Sequence, residues 1–347
     1  MTTALRRTMA VTAAIAAGTL SLTAPATAHP KADAASTVTT VPLTTGLYQS
    51  SYSERNQALW VTSAVGRPPV TTSRLLKVDP RTLAVQATYT PPVVDAATGA
   101  LEAVYGVAVD DEHNTVWTTN TRSNSVAVYS QRDGSHLATL PGVDHAREIV
   151  VDTRHNTAWA SAFTGGTLVA FDTRTLTEKK RVTVTGSGPT GLAVDEKTGT
   201  LYAADLNGDQ IIAVSPQSDT PTLIPAGDGP ISIDLSKDGK TAYTADQTAG
   251  TLSVVDLRAK VVTKTVVTGA GALSVSVDER TGKALVANRT AANVTVVDPR
   301  AGVVTETLAT GANPNHVETS NGTAFVVDKS GAGPAGEDQL HEIKIAR

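Results

Sequence analysis

Several segments of this 347-residue chain are similar to one another, and most of them carry small residues at two equivalent positions. Four ionisable residues occupy such positions: Glu148, Asp234, His316 and Glu318. Three carboxylates and an imidazole that converge on one point could hold a hard cation such as Ca²⁺ or Mg²⁺. The same groups could instead work as an acid–base pair. Arg147, directly before Glu148, adds a cation to this candidate site. Its chemistry depends on how the fold brings the four segments together.

The four residues lie in copies of one repeat. Runs such as Gly106–Asp110 and Glu148–Asp152 are mostly apolar, end in Asp or Ser, and lead into a polar turn. The end residues recur about every 42 residues; they are Ser53, Asp110, Asp152, Asp195, Ser236, Asp278 and Ser320. The first interval is longer, which indicates insertions at Val65–Thr72 and Pro91–Leu101. The repeat is rich in Val and Thr without a sustained helical period, so it predicts short strands.

Each copy contains four strand signals, as in Val107–Val109, Thr115–Thr119, Ser125–Tyr129 and His136–Leu140. Four antiparallel strands in roughly 40 residues are typical of one propeller blade. Seven copies therefore predict an all-β fold, a seven-bladed β-propeller. The last copy stops one strand short, and Val38–Leu43 reads like an outermost strand. We expect this N-terminal strand to complete the last blade and close the ring, so that residues 38–347 form a single domain.

The first strand of each blade should face a central channel. Because side chains alternate along a strand, one set of its residues is apolar and the other is small or polar. Glu148, Asp234, His316 and Glu318 belong to the second set. Three interpretations stay open for them: contact with channel water and backbone groups, a metal or small-ligand site, or acid–base catalysis.

Two other repeated positions each have a functional and a structural interpretation, and we expect the structural one for both. An Asn or Asp ends the second strand of most blades. Together these residues could form a polar ring around the channel mouth, or each could stabilise a turn by a hydrogen bond to the backbone; they are Asn120, Asp205, Asp246, Asn288 and Asp328. A bulky residue lies near the start of the same strand and could stack on nucleic-acid bases or pack between blades; these residues are Trp60, Trp117, Trp159, Tyr202 and Tyr243.

The second and third strands resemble a known repeat. Runs such as Tyr202-Ala-Ala-Asp205, Tyr243-Thr-Ala-Asp246 and Val294-Thr-Val-Val-Asp298 are similar to the YVTN β-propeller repeat of exported YncE-like proteins. The resemblance covers nearly the whole chain after the N-terminal segment. It implies seven blades and export, and it transfers no catalytic signature. The long first copy and Trp159-Ala-Ser-Ala162, which lacks a polar fourth residue, depart from the pattern.

The N-terminal residues predict export. Arg6 and Arg7 precede an apolar run, and Ala26-Thr27-Ala28 fits a cleavage site, so residues 1–28 read as a secretory signal peptide. Residues 29–37 read as a flexible lead-in. General secretion and the twin-arginine route both stay open. We therefore expect a secreted, extracellular protein without a membrane span that acts as a monomer.

Composition excludes several classes of site. With no cysteine, the chain has no disulfide, no thiolate metal site and no Cys nucleophile. The formal net charge is −4 and becomes more negative without the two leader arginines, which disfavours nucleic acid as a partner. A local patch of Arg122, Arg147, Arg289 and Lys329 on one face would be needed to reverse that expectation.

Two functions remain in competition. The first is a non-catalytic exported propeller, a binding or scaffold module at the cell exterior that uses the loop face around its channel. The alternative is a divalent-cation-dependent propeller enzyme of the lactonase or lyase kind, with its site at the channel mouth; this alternative rests on analogy of fold. The sequence names no partner for the first function and no substrate for the second.

Overall fold

The computed structural model describes Met1 and residues 35–346, and its regular elements are all β-strands. The predicted signal peptide beyond Met1 and residues 29–34 of the predicted lead-in lie outside the described residues. The Val- and Thr-rich runs form strands because β-branched side chains pack well on a pleated surface. Gly, Asn and Asp at the intervening turns end each strand.

The strands follow one another in chain order. A first strand, β1 (Thr37–Pro42), precedes blade one, which comprises β2 (Leu47–Ser53), β3 (Ala58–Val65), β4 (Thr72–Val78) and β5 (Val85–Tyr89). A short hairpin follows, β6 (Val93–Asp95) and β7 (Ala100–Leu101). Blade two comprises β8 (Val107–Asp110), β9 (Thr115–Asn120), β10 (Ser125–Ser130) and β11 (His136–Pro141). Blade three comprises β12 (Ala146–Asp152), β13 (Thr157–Ala162), β14 (Thr167–Asp172) and β15 (Thr177–Thr183).

The second half continues the pattern. Blade four comprises β16 (Pro189–Asp195), β17 (Thr200–Asp205), β18 (Gln210–Val214) and β19 (Thr222–Pro225). Blade five comprises β20 (Pro230–Leu235), β21 (Thr241–Asp246), β22 (Thr251–Asp256) and β23 (Val261–Val267). Blade six comprises β24 (Ala272–Asp278), β25 (Lys283–Asn288), β26 (Asn293–Asp298) and β27 (Val303–Ala309). The last blade has β28 (Pro314–Ser320), β29 (Thr323–Asp328) and β30 (Gln339–Lys344) from this end of the chain.

The seven blades are four-stranded antiparallel sheets, which confirms the predicted all-β, seven-bladed propeller. The first strands of successive blades contact one another around the ring. In the last blade the sheet order is β1-β30-β29-β28, so the N-terminal strand supplies the fourth position. Its register runs from Thr37 opposite Lys344 to Pro42 opposite Gln339.

The hydrophobic core is divided among the interfaces between blades. Trp60 of blade one packs with Val107 and Val116 of blade two, and Trp117 of blade two packs with Ile149 of blade three. Both tryptophans are fully buried. Burying such a side chain contributes roughly 1.5–3 kcal/mol, so the bulky repeat position holds neighbouring blades together, as its structural interpretation predicts.

The polar residue that ends the second strand is buried inside its own blade. All five of these side chains have no exposed surface. The Asp246 carboxylate accepts hydrogen bonds from the hydroxyls of Thr244 (2.7 Å), Thr251 (2.9 Å) and Ser253 (2.7 Å). These residues therefore stabilise the blades and do not form a polar ring at the channel mouth.

The insertion in blade one supports one edge of the channel. Val70, in the loop between β3 and β4, packs with Ala64 and Ala103. Tyr48 and Tyr105 lie against this small cluster. The longer first repeat thus contributes apolar residues that pack against two tyrosines beside the channel.

Candidate functional site

A cavity of about 820 Å³ runs through the ring and is lined by the first strands of all seven blades. Two layers of side-chain positions face it. The upper layer consists of Gln49, Gly106, Glu148, Gly191, Ser232, Ser274 and His316. The lower layer consists of Ser51, Ala108, Val150, Ala193, Asp234, Ser276 and Glu318. The channel is therefore mostly small and polar, as alternation along the strands predicts.

Its two ends differ in composition. We call the end beside the upper layer the loop mouth; it is surrounded by Tyr48, Tyr105, Arg122, His145, Arg147, Arg289 and Asn315. We call the other end the turn mouth; it is surrounded by Glu54, Lys237, Glu279, Arg280 and Asn321.

Glu148 is held by a side chain from two blades away. Its Oε2 accepts a hydrogen bond of 2.7 Å from Nε2 of Gln49, and its Oε1 accepts one of 3.3 Å from the Ile149 amide. The Gln49 Oε1 atom also accepts from the Val107 amide at 3.2 Å. Gln49 spans blade two because Gly106, the residue between them, has no side chain in the way.

Asp234, His316 and Glu318 each accept a hydrogen bond from the backbone of the next blade. The Val277 amide donates to Asp234 Oδ2 at 2.8 Å. The Ser50 amide donates to His316 Nδ1 at 3.3 Å. The Tyr52 amide donates to Glu318 Oε1 at 3.3 Å. These contacts match the structural interpretation of the channel residues, in which their polar atoms serve the backbone.

The four candidates do not form a cation site in the described structure. Among residues 35–346, no group of three or more His, Asp and Glu side chains is arranged to hold a metal ion. Each carboxylate has instead at least one oxygen bound to an amide. The arrangement of these residues therefore does not fit Ca²⁺ or Mg²⁺.

Enclosure by the ring shifts the pKa values of these groups toward their neutral forms. Although each side chain keeps partial exposure to the channel, the surrounding protein removes much of its hydration. Burial raises the pKa of Glu148 to about 7, that of Asp234 to about 6 and that of Glu318 to about 8. Burial lowers the pKa of His316 to about 4. A neutral imidazole agrees with Nδ1 acting as an acceptor.

The loop mouth carries an excess of positive charge. We call Arg122, Arg147, Arg289 and Lys329, together with the neighbouring imidazole of His145, the cationic rim. The Arg147 guanidinium lies 5.6 Å from the centre of the Phe163 ring, and the Lys329 ammonium lies 3.3 Å from the centre of the Tyr48 ring. Tyr48 and Tyr105 meet edge to face, with their ring centres 4.4 Å apart. Cations and aromatic rings thus share one side of the mouth.

Neighbouring blades fix the backbone at the rim. The Thr119 hydroxyl donates to the Arg147 carbonyl at 3.0 Å, and the Thr62 hydroxyl donates to the Tyr105 carbonyl. The Asn315 amide group donates to the Tyr48 carbonyl at 2.6 Å. Blades four to six place the uncharged residues Thr190, Ile231 and Leu273 at corresponding positions, and blade six adds Arg289 from the loop between β25 and β26.

His145 has a backbone conformation that other blades give to glycine. Its φ is 51°, and the residue directly before the first strand is Gly46 in blade one, Gly229 in blade five and Gly271 in blade six, all with positive φ. A non-glycine residue in this left-handed region costs of the order of 1 kcal/mol. His145 therefore has an unfavourable backbone conformation at a position beside the channel mouth.

The sequence indicated only part of this site. Arg147 and Glu148 were expected at the channel mouth, and Arg122, Arg289 and Lys329 were expected on the same face. Tyr48 and Tyr105 were missed as rim residues. Their position in the repeat indicates this location, because each tyrosine directly precedes the first inward-facing residue of its blade, as Arg147 precedes Glu148.

Comparison with known proteins shows the fold and no closer relation. No protein-family model matches the chain, and no curated protein matches it by sequence. Among solved structures, selenomethionine-substituted virginiamycin B lyase from Staphylococcus aureus is similar, with a TM-score of 0.69 and 13% sequence identity. The match covers 89% of this chain and 99% of the lyase chain. At this identity the likeness establishes a shared propeller architecture and leaves the activity open.

Proposed function

We propose that this protein is an exported binding propeller that takes its partner at the loop mouth. The observation that carries the proposal is the contrast between the channel and its rim. The channel's polar atoms are bound to backbone amides, whereas the rim presents cations and tyrosines around an open cavity. A ligand site needs such unused polar and aromatic groups beside a concave surface.

Export and the YVTN-repeat, YncE-like relationship are part of this proposal. The N-terminal charge and cleavage pattern support export, and the repeated strand sequences support the relationship. Among the described residues, no helix is both long enough and apolar enough to span a membrane. N-terminal sequencing of protein recovered from culture medium should start at His29; protein retained in the cytoplasm with Met1 would overturn the export proposal.

The absence of cysteine allows a direct test of the loop mouth. Ser123→Cys places a thiol next to Arg122, and Lys197→Cys places one on the opposite face. Each variant is labelled with a bulky maleimide, and thermal shifts are measured with a panel of sugars, peptides, nucleotides and organic acids. We expect at least one ligand to lose its shift only when Ser123→Cys is labelled. Shifts that survive this label, or no shifts at all, would contradict a loop-mouth site.

The alternative is a lactonase- or lyase-like enzyme at the same mouth. It is favoured by the backbone likeness to a lyase and by Glu148, whose pKa of about 7 suits proton exchange near neutral pH. The test is to incubate the protein with cyclic esters, with Mg²⁺, Ca²⁺ or EDTA, and to separate the products by liquid chromatography before mass spectrometry, because hydrolysis adds one water and elimination leaves the mass unchanged. Turnover that the Glu148→Gln and His316→Ala variants lack would replace the binding proposal; unchanged esters in all samples would support it.

A further inference from the structure

We propose that the loop mouth binds a small molecule with two or more anionic oxygen groups, such as a phosphorylated or polycarboxylate compound. This inference rests on the proposed binding function and names the class of ligand. The guanidinium groups of Arg122, Arg147 and Arg289 provide forked donors that match phosphate and carboxylate oxygens.

The first support is that the cationic rim forms no salt bridges. Within residues 35–346, no acidic oxygen lies within 4.0 Å of a side-chain nitrogen of its five members, although Glu148 and Asp338 act on Arg147 and Lys329 from a longer distance. Eight other lysines and arginines of the described residues are paired, for example Arg181 with Glu178 at 2.7 Å and Lys180 with Asp219 at 3.1 Å. Others are unpaired, as the rim cations are, but the rim gathers several of them around one cavity mouth. Because the whole chain has an excess of acidic residues, composition does not explain an uncompensated rim.

The second support is that the rim gathers basic groups in a place where burial disfavours their charged forms. Burial lowers the pKa of His145, and the charges of Arg147 and Arg122 lower it further. Burial lowers the pKa of Lys329 to about 8; Asp338 opposes this shift and Arg289 adds to it. Like charges gathered in a partly enclosed place destabilise the free protein. A bound anion would offset the repulsion and would stabilise the charged forms that burial disfavours.

The third support is shape. Tyr48 and Tyr105 form an aromatic wall beside the rim, and the cavity of about 820 Å³ below it leaves room for the body of a small molecule. The turn mouth is different, because its Lys237 is paired with Glu279 at 3.2 Å. An anion would therefore be attracted to one end of the channel, and its uncharged part would lie against small residues and tyrosine rings.

The test is titration calorimetry of the full chain with pyrophosphate and with citrate, which separate the phosphate and polycarboxylate classes. At least one should bind, and its affinity should fall as salt is added. Arg147→Gln and Arg289→Gln should each weaken binding about tenfold or more. Arg154→Gln is the matched control, since this arginine lies toward the other end of the same cavity, and it should leave the affinity unchanged.

A fourth variant separates binding from folding. His145→Gly restores the residue that three other blades use at this conformation, so its unfolding temperature should equal or exceed that of the wild type. It also removes an imidazole whose lowered pKa keeps it neutral at neutral pH, so binding should weaken less than in the two rim arginine variants. Equal affinities in all four variants, or equal losses that include Arg154→Gln, would overturn the proposal.

Two results distinguish this inference from the function on which it rests. If neither probe binds but a neutral ligand is blocked by labelled Ser123→Cys, the ligand class is wrong and the loop-mouth site stands. If an oligonucleotide alone binds through the rim arginines, the small-molecule class is likewise overturned. If no ligand of any kind depends on the loop mouth, both proposals fail.

Discussion

The polar side chains in the channel satisfy a need of the innermost strands. The first strand of each blade is a sheet edge, so its amides on the channel side have no strand partner. Ser232 accepts from the Val275 amide and Ser274 accepts from the Val317 amide, both at 3.1 Å. Asp234, His316 and Glu318 accept in the same way from the following blade. A serine or an ionisable group can therefore fill the same structural role.

Glu318 should make folding stability depend on pH. Burial raises its pKa from the ordinary value of 4.5 to about 8, so the folded protein keeps a proton that the unfolded chain releases. The contribution of this group to stability therefore falls as pH rises from about 4.5 to about 8. Glu318→Gln stays neutral and can still accept from the Tyr52 amide. Its stability relative to the wild type should increase over this interval by on the order of 1 kcal/mol or more.

The measurement is urea unfolding at about pH 5 and about pH 8.5. Glu112→Gln, at an exposed turn position, is the control and should show no comparable change. A constant difference between Glu318→Gln and the wild type at both pH values would contradict the predicted shift.

Removal of the Asp246 carboxylate should be costly. Asp246→Ala leaves the buried hydroxyls of Thr244, Thr251 and Ser253 without their shared acceptor. We expect a loss of about 2–4 kcal/mol in the free energy of unfolding, because unsatisfied buried polar groups keep their desolvation cost. Asp219→Ala, whose side chain is fully exposed, should change stability by less than about 0.5 kcal/mol. Chemical denaturation measures both, and equal effects would refute the argument.

The close packing of the innermost strands of blades one, two and three depends on Gly106. A Cβ atom on Gly106 would lie 2.7 Å from the Arg147 carbonyl oxygen and 2.7 Å from the Thr119 hydroxyl. It would also lie 3.2 Å from Gln49 Oε1, so it would disturb the contact by which blade one reaches Glu148. The absence of a side chain at Gly106 lets β2, β8 and β12 approach closely enough to form one hydrogen-bonded corner, the group of contacts around Gln49, Glu148 and the Arg147 carbonyl.

Gly106→Ala should therefore lower the free energy of unfolding by about 1–3 kcal/mol through overpacking. Gly165→Ala is a matched control because its nearest neighbour, the Thr167 hydroxyl, would be 3.4 Å from the new Cβ. That variant should stay within about 1 kcal/mol of the wild type. Thermal unfolding of both proteins tests the difference; a tolerated Gly106→Ala would show that the corner can relax.

At the scale of the molecule, the ring depends on β1. Pairing of β1 with β30 covers an edge that would otherwise expose unpaired backbone groups. Ser36 adds two hydrogen bonds to Glu306 in blade six, both of 2.9 Å. Ends that are tied by strand pairing reduce the need for a disulfide in this cysteine-free chain.

A chain that starts at Thr44 should be less stable than one that starts at Ala35. We expect its unfolding temperature to be lower by about 5 °C or more and its exposed β30 edge to promote association. Differential scanning calorimetry and light scattering measure the two effects. A synthetic peptide of residues 35–43 should partly restore the unfolding temperature. Identical behaviour of the two chains, with no response to the peptide, would refute a closing role for β1.

The architecture follows from the repeat in the sequence. The period of the repeat, its strand signals and the short last copy predict seven four-stranded blades. The prediction is possible because each blade repeats the same alternation of core-facing residues and the same turn residue at a fixed spacing. The bulky position between blades and the buried Asn or Asp at the end of the second strand followed from the same repetition. These features depend on residues that are near one another in the chain, so their spacing encodes them.

What the channel residues contact, and which aromatic rings lie beside the rim cations, depends on the tertiary structure. Glu148, Asp234, His316 and Glu318 looked alike in sequence, yet each is committed to a neighbouring backbone amide or to Gln49. Tyr48 and Lys329 become neighbours because ring closure brings blade seven against blade one. Such contacts join residues hundreds of positions apart, and the spacing of a repeat carries no information about them. The sequence places the rim cations on one face, and closure of the ring decides that the lysine of blade seven lies on the tyrosine ring of blade one.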